Sequence, residues 1–125
     1  MPDSSSQIPE SLKHYLLMWN ELNPDDIRGH LDRAVSDDCL WVDPQHSHIG
    51  RDALEENVRG FHSKYGSAEL SLASNVDGHN SRYRYEWEIT LNGQILIHGF
   101  DVATLNSDGQ IERVDGFFGR LKPLE

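Results

Sequence analysis

The chain is poor in cysteine, in basic residues and in long apolar runs, and each shortage excludes a class of protein. The single cysteine, Cys39, lies in an apolar segment and cannot form an intrachain disulfide, so we expect a buried, reduced thiol in a cytoplasmic protein. Lysine and arginine number 11 against 21 acidic residues, and the net charge of -10 argues against nucleic acid or a membrane surface as partner. No apolar run is long enough to span a bilayer, and no export signal is visible.

The 125 residues suffice for one domain with a sizeable core. We expect residues 1–8 to be a disordered lead-in and residues 9–121 to form that domain. Apolar residues recur at helical spacing in three segments of the first half, which predicts three helices. The predicted helices are residues 9–23, a short one that starts at Pro24, and residues 51–65.

The remainder alternates with the period of β-strands. Asn92-Gly93 is a strong signal for a two-residue hairpin turn, and further turns are predicted at Asp77-Gly78 and at residues 106–109. We therefore expect an α+β fold, with the N-terminal helices packed in the concave face of a curved, mainly antiparallel sheet. The predicted strands are residues 39–43, 68–76, 82–91, 94–105 and 110–120.

The strand over residues 94–105 is apolar on both faces. One face carries Ile95, Ile97, Asp101, Ala103 and Leu105, and the other carries Leu96, His98, Phe100 and Val102. An antiparallel sheet that is apolar on both sides is usually covered on both. The helices can cover only one side, so the pattern predicts a homodimer through the outer face.

Asp43 is the first candidate functional residue. It ends a short apolar strand, because the following Pro44 has no N–H to donate, and it shares one strand face with Cys39 and Trp41. An acid beside an indole at the end of a strand is a candidate site. An Asp-Pro pair also caps turns, so a structural role stays open.

Asp101 is the second candidate, in the middle of a strand and among small and aliphatic residues. Burial there favours the neutral acid, so we expect a raised pKa for Asp101. A neutral carboxylic acid can donate a hydrogen bond to a developing oxyanion, while an ionised Asp43 can accept a proton. The alternative is a structural acid bonded to a buried hydroxyl or to His79.

The histidines give weaker signals. His46 and His48 form an H-x-H pair near Asp43, but spacing fixes no third ligand, so we expect a pocket-rim position and no metal or other cofactor. His98 should face away from Asp101, since the two are three residues apart on one strand. The role of His79 stays open.

The motifs that carry both acids resemble those of a known family. Leu40 to Pro44, Gly50, Gly99-Phe100-Asp101, residues 108–111 and Gly116 to Gly119 are similar to the nuclear transport factor two-like superfamily. That superfamily includes ketosteroid isomerase and the SnoaL-like polyketide cyclases. The resemblance runs from Leu12 to Gly119 and implies a conical barrel with a deep pocket.

The resemblance also implies roles for single residues. Asp43 corresponds to a proton-shuttling base and Asp101 to an oxyanion-hole acid. The isomerase's catalytic tyrosine falls at Met18 or Trp19, and Tyr15 can replace it only if the helix is rotated. Val114 and Phe118 correspond to pocket-wall positions of the family. Together with residues expected on the wall from their position or their apolar or aromatic character, the predicted pocket wall is Tyr15, Met18, Trp19, Trp41, His46, Val58, Phe61, Trp87, Val114 and Phe118.

These features predict a small-molecule pocket that performs acid-base chemistry (isomerisation, cyclisation or dehydration) on a small apolar carbonyl compound. The alternative is a non-catalytic module of the same fold that binds a ligand or a partner protein.

Overall fold

The computed structural model describes residues 8–124, which form an α+β cone of three helices on a curved seven-stranded sheet. The expected fold class is confirmed. The helices are α1 (Glu10–Met18), α2 (Pro24–Ala34) and α3 (Arg51–Lys64). The strands are β1 (Val35–Asp43), β2 (His46–Ile49), β3 (Glu69–Leu72), β4 (Asp77–His79), β5 (Arg82–Leu91), β6 (Gln94–Leu105) and β7 (Ile111–Phe118).

The sheet runs in the order β2-β1-β7-β6-β5-β3, with β4 paired to β5. Every pair is antiparallel except β1 with β7, which is parallel. The last strand therefore lies between the first strand and the β5–β6 hairpin. This order brings Asp43, at the end of β1, and Asp101, in the middle of β6, to the two sides of β7.

Helix α2 begins where its sequence predicts a helix start. The Asn23 side chain accepts a hydrogen bond from the Asp25 N–H at 3.1 Å, Pro24 opens the first turn, and two acidic residues follow at the positive end of the helix dipole.

Helix α1 ends at Met18, earlier than predicted, so Leu22 lies beyond the helix with 79% of its surface exposed. The apolar spacing of Leu22 with α1 is thus coincidental.

A bulge in the β5–β6 hairpin sets the register of the site. The chain turns at Asn92 and Gly93, both at positive φ, as predicted. Ile89 pairs with Ile97 but Thr90 pairs with Ile95, so Leu96 is an extra residue on β6. The bulge moves Ile95 to the outer face, where it is exposed, and corrects the prediction that it faces the interior.

Other boundaries also differ from the prediction: β1 begins at Val35 rather than at residue 39, and β3 ends at Leu72 rather than at residue 76. Residues 46–49 form strand β2 rather than a loop, because Pro44 and Gln45 make a tight turn that pairs Asp43 with His46. Asp77-Gly78 belongs to β4, and the turn lies at Asn80-Ser81, where both residues adopt positive φ. Asparagine tolerates that backbone conformation better than most residues, and local sequence gives no other sign of the shift.

The core fills the space between the helices and the concave face of the sheet. Ile8, the last residue of the predicted lead-in, packs against it, and residues 1–7 lie outside the described part of the chain. Among residues 8–124, no helix has the length and hydropathy needed to cross a bilayer. The largest fully buried side chains are Leu12, Met18, Ile27, Leu31, Leu54, Val58, Tyr85 and Ile111.

Gly99 is required by a close approach of the Trp87 indole, which lies over its Cα from the neighbouring strand. A Cβ at this position would overlap the indole, which packs edge-on against Phe118. We predict that Gly99→Ala lowers the free energy of unfolding by about 1–3 kcal/mol, measured by urea denaturation.

Gly29→Ala is the matched control, since a Cβ there meets nothing within 4 Å in helix α2. It should raise the free energy of unfolding by roughly 0.5–1 kcal/mol. Equal effects of the two substitutions would contradict the described packing.

Candidate active site

A cavity of about 660 Å³ lies between helices α1 and α3 and the concave face of the sheet. Its volume falls within the range of small-molecule sites. Eight Phe, Tyr and Trp rings lie on the wall, and its polar side chains include the carboxylates of Asp43, Glu56 and Asp101. The aromatic rings on the wall are those of Tyr15, Trp19, Trp41, Phe61, Tyr65, Tyr85, Trp87 and Phe118.

Asp101 lies deep in this cavity, with 7% of its surface exposed. The bulge at Leu96 places Tyr85 directly opposite it on β5, and the Tyr85 hydroxyl donates a hydrogen bond to Oδ2 at 3.0 Å. Without the extra residue, the two-residue turn would pair Asp101 with Arg84 instead. The bulge therefore determines which side chain contacts the buried acid.

The environment of Asp101 favours its neutral form. Burial raises the pKa of Asp101 to about 6, and the negative charge of Asp43 acts in the same direction. The indole of Trp87 and the hydroxyl of Tyr85 favour the ionised form, but burial dominates. The predicted upward shift is consistent with this geometry.

Asp43 is the last residue of β1, and its side chain is only 9% exposed. Oδ1 accepts a hydrogen bond from the Gln45 N–H at 2.8 Å and lies 3.0 Å from Nδ1 of His46. Both contacts use the same oxygen. Within residues 8–124 no hydrogen bond reaches Oδ2, so this oxygen is available to a ligand.

The side chains of Asp43 and Asp101 both approach Gly116 of β7. A Cβ at Gly116 would lie 2.9 Å from Asp101 Oδ1 and 3.4 Å from the Cβ of Asp43, so both acids border one small space. Because Gly116 has no side chain, that space is continuous with the cavity it lines. Two acids far apart in sequence thus meet in one cavity.

Tyr15 adds a hydroxyl to the same wall. It accepts a hydrogen bond from Nε1 of Trp41 at 2.8 Å, and burial, followed by the charge of Asp101, raises the pKa of Tyr15 well above its usual value. The phenol therefore keeps its proton and can donate it in a hydrogen bond. Helix α1 is oriented so that Tyr15, rather than Met18, faces the cavity.

Most of the predicted wall residues lie on the cavity, and two do not. Met18 and Val58 are fully buried in the core, so their predicted positions in the wall are wrong. Val58 lies with Leu54 on the core face of α3, whereas the cavity face carries residues one position away on the helix. Those on the cavity are Asp43, Asp101, Tyr15, Trp19, Trp41, His46, Phe61, Trp87, Val114 and Phe118.

Tyr85 and His48 also line the cavity and were not among the predicted site residues. His48 pairs with Trp41 across the β1–β2 hairpin, and the two rings stack with centroids 5.9 Å apart. The sequence places Tyr85 on the inward face of a strand that pairs with β6, and this position is the one feature that could have predicted it as a cavity residue. The bulge that aligns it with Asp101 has no signature in the sequence.

The remaining histidines lie apart from the two acids. His98 faces the outer side of the sheet, as predicted, with Nε2 3.1 Å from Oε1 of Glu86. His79 is exposed beside Asn80, so the buried hydroxyl of Tyr85 rather than His79 bonds Asp101. The rings of His46 and His48 lie 5.5 Å apart, and residues 8–124 contain no group of three or more potential ligands that could hold a metal ion.

No family model and no curated protein matches the sequence. Solved structures do. A candidate isomerase of the SnoaL-like family from Agrobacterium tumefaciens is 27% identical, with a TM-score of 0.82 over 88% of this chain and 95% of that one.

More distant structures have the same fold. An NTF2-like protein of unknown function from Exiguobacterium is 18% identical, with a TM-score of 0.71 over 89% of this chain and 99% of the other. A candidate polyketide cyclase from Sinorhizobium meliloti is 14% identical, with a TM-score of 0.71 over 90% and 97% of the two chains. With its cone-shaped sheet, its cavity and these structural neighbours, the chain has the fold of the nuclear transport factor two-like (NTF2-like) superfamily.

Proposed function

We propose that the protein is an acid-base enzyme that moves a proton on a carbonyl compound, with Asp43 as the base and Asp101 as the electrophilic acid. The observation that carries the proposal is that the side chains of Asp43 and Asp101 meet beside Gly116 on the wall of one cavity. Their surroundings differ, which is how two like groups can take opposite roles. The SnoaL-like relatives support the choice of reaction class.

The proton moves between groups that face the cavity. Oδ2 of Asp43 takes a proton from the carbon next to the substrate carbonyl, and the electron pair of that C–H bond shifts to the carbonyl oxygen as an enolate. Because Oδ2 of Asp101 is occupied by Tyr85, its proton is carried on Oδ1 and donated to the enolate oxygen. Tyr15 offers a second donor to the same oxygen.

The enolate can then react in three ways. Asp43 can return the proton to another carbon, which gives an isomerisation. The enolate carbon can form a bond within the same molecule, which gives a cyclisation, or it can expel a neighbouring leaving group. The described residues support the shared first step, and the substrate decides among the outcomes.

The first step is testable without the natural substrate, by deuterium exchange at the α-carbon of 2-tetralone in D₂O, followed by NMR. We predict that Asp43→Asn lowers the enzyme-dependent rate by a factor of about 100 or more, because the base is lost. Asp101→Asn should keep part of the rate, because the amide still donates a hydrogen bond.

Asp115→Asn is the control: it removes an acid next to Gly116 whose carboxylate pairs instead with Arg113. Its exchange rate should equal that of the unmodified protein. Full exchange in both site variants would remove the mechanism, and binding of tetralone with no exchange above buffer would favour a non-catalytic binding protein.

The raised pKa of Asp101 predicts a pH effect on stability. Between an unfolded pKa of 3.8 and a folded pKa of about 6, the folded protein holds a proton that the unfolded chain releases. The stabilisation is complete below about pH 4 and is lost as the pH rises through 6, a change of roughly 3 kcal/mol. The free energy of unfolding should therefore fall over this interval relative to that of Asp101→Asn, and parallel curves for the two proteins would contradict the shift.

We propose that a second copy of the chain covers the outer face of the sheet. Leu96 and Phe117 expose 45% and 58% of their surface there. Ile95 exposes 58% of its surface on the same face. Apolar side chains that are exposed together on one face are what a protein partner would cover.

The mass in solution, measured by light scattering after gel filtration, tests the dimer. We predict twice the 14.3 kDa of one chain, and a shift to the monomer for Phe117→Glu. Leu22→Glu, an equally drastic change at an exposed leucine away from this face, should leave the dimer intact. If the unmodified protein has the mass of a monomer at every concentration, the proposed dimer is excluded.

Cys39 supports a reducing compartment, and a cytoplasmic location remains our proposal. The thiol is free and buried, and burial raises its pKa to about 12. A protein that keeps its cysteine as a free thiol rather than in a disulfide is typical of a reducing compartment such as the cytoplasm.

A further inference from the structure

Helix α3 extends along the cavity from one edge of the sheet to the other. It connects β2 to β3, the first and last strands of the sheet order, and several of its side chains line the cavity. Its 14 residues cover about 21 Å. The first half of α3 therefore lies towards β1 and β2, and the second half lies towards β3.

Polar side chains line the cavity at the β1–β2 end. Glu56 and Asn57 come from the first half of α3, and the β1–β2 hairpin contributes Asp43, His46 and His48. The side chains of Asn57 and His48 are partly exposed, and neither makes a hydrogen bond within residues 8–124. Both are therefore available to polar groups of a ligand.

Apolar side chains line the cavity at the opposite end. Leu70 of β3 pairs with Ile89 of β5, which pairs with Ile97 of β6, and all three lie on the wall. Phe61 and Tyr65, at the end of α3, line the wall from the helix side. All of these except Ile89 are only partly buried. Apolar surface is thus left for a ligand to cover.

Lys64 also borders the apolar end, but it does not make that end polar. Its side chain is exposed, and its Nζ lies 5.2 Å from the centre of the Tyr65 ring. The ammonium group therefore stays at the rim, in contact with solvent.

The apolar end lies well beyond the two acids. Asp101 is four residues from Ile97 on β6, and its partner Tyr85 is four residues from Ile89 on β5. At about 3.3 Å per residue, each separation is about 13 Å along the strand. A ligand with its carbonyl at Asp43 and Asp101 must extend this far to cover the apolar wall.

We propose that the natural ligand is an elongated amphiphile: a carbonyl compound with polar groups beside the reacting carbonyl and an apolar tail of about 13 Å that reaches Leu70, Ile89 and Ile97. This inference rests on the proposed acid-base function for the position of the carbonyl. It replaces the small apolar ligand expected from the sequence, which would leave one end of a cavity of about 660 Å³ without apolar contacts.

A series of methyl ketones from 2-butanone to 2-dodecanone tests the tail, with dissociation constants measured by ligand-observed NMR. Each added methylene should tighten binding by about 3- to 4-fold, because it is buried against the apolar wall. The gain should continue up to 2-dodecanone, since three bonds of an extended chain cover about 3.3 Å. Affinity that stops rising before 2-octanone, or no binding by any ketone, would overturn the proposal.

Leu70→Trp places a larger ring in the apolar end. It should weaken 2-decanone by about tenfold or more and leave 2-butanone unchanged, because only the longer tail reaches this position. Leu17→Trp is the matched control, since Leu17 of α1 is 53% exposed and does not line the cavity. Equal losses for the two ketones in Leu70→Trp would show that the tail does not lie there.

The polar end is tested with 1-hydroxy-2-decanone, which adds a hydroxyl beside the carbonyl of 2-decanone. The hydroxyl should tighten binding by about 2- to 10-fold, and Asn57→Leu should remove this gain without weakening 2-decanone. A hydroxyl that weakens binding, or a gain that Asn57→Leu leaves intact, would remove the polar end from the proposal.

The orientation of the ligand can be measured without any variant, so the test holds if Leu70→Trp fails to fold. In the unmodified protein, the terminal methyl of 2-decanone should show nuclear Overhauser effects to the methyl groups of Leu70 and Ile97. The methyl next to the carbonyl should show them to Val114, two residues before Gly116 on β7. The opposite orientation would overturn the proposal.

Proton exchange separates this inference from the proposed function. Binding that depends on tail length and has the expected orientation, but without exchange of the ketone's α-protons in D₂O, leaves the ligand class standing and removes the acid-base function. Exchange that requires Asp43, with equal affinity for 2-butanone and 2-decanone, keeps the acid-base function and removes the elongated ligand.

Discussion

The hydrogen bond from Tyr85 to the buried carboxyl of Asp101 is the contact on which the account of this cavity depends. It occupies one oxygen of an acid that burial keeps partly neutral, and so leaves the other oxygen to face Gly116 and Asp43. A buried acid without a partner is costly, and a fully bonded one has nothing to offer a ligand. Asp101 has one bonded oxygen and one oxygen that is left for a ligand, so it can be buried and still donate a hydrogen bond to a substrate.

Two features of the sheet create this arrangement. The extra residue Leu96 in β6 shifts the hairpin register by one and aligns Tyr85 with Asp101. The parallel pairing of β1 with β7 brings the end of the first strand beside the last, so that Asp43 reaches the same glycine from the other side. The chemistry of the site thus comes from register and strand order as much as from the residues themselves.

Much of this could be predicted from the sequence, and the failures have physical causes. Helices α2 and α3 and the turn at Asn92 were predictable because caps, periodicity and turn residues act locally. Asp43 and Asp101 stood out because an acid on an apolar strand face is costly. The positions of Ile95 and Tyr85 were not predictable, since a bulge arises from packing across strands, and neither was the side of α1 that faces the cavity, which depends on how the helix docks.

The central claim, that the two acids share one cavity, is tested most directly by a ¹³C NMR titration of the Asp101 carboxyl in the ligand-free protein and in Asp43→Asn. We predict a midpoint near 6 in the unmodified protein, and a lower midpoint in the variant, because the charge of Asp43 is one of the causes of the raised pKa. An ordinary midpoint near that of an exposed aspartate, or one that is the same in both proteins, would show that the two carboxyl groups do not meet.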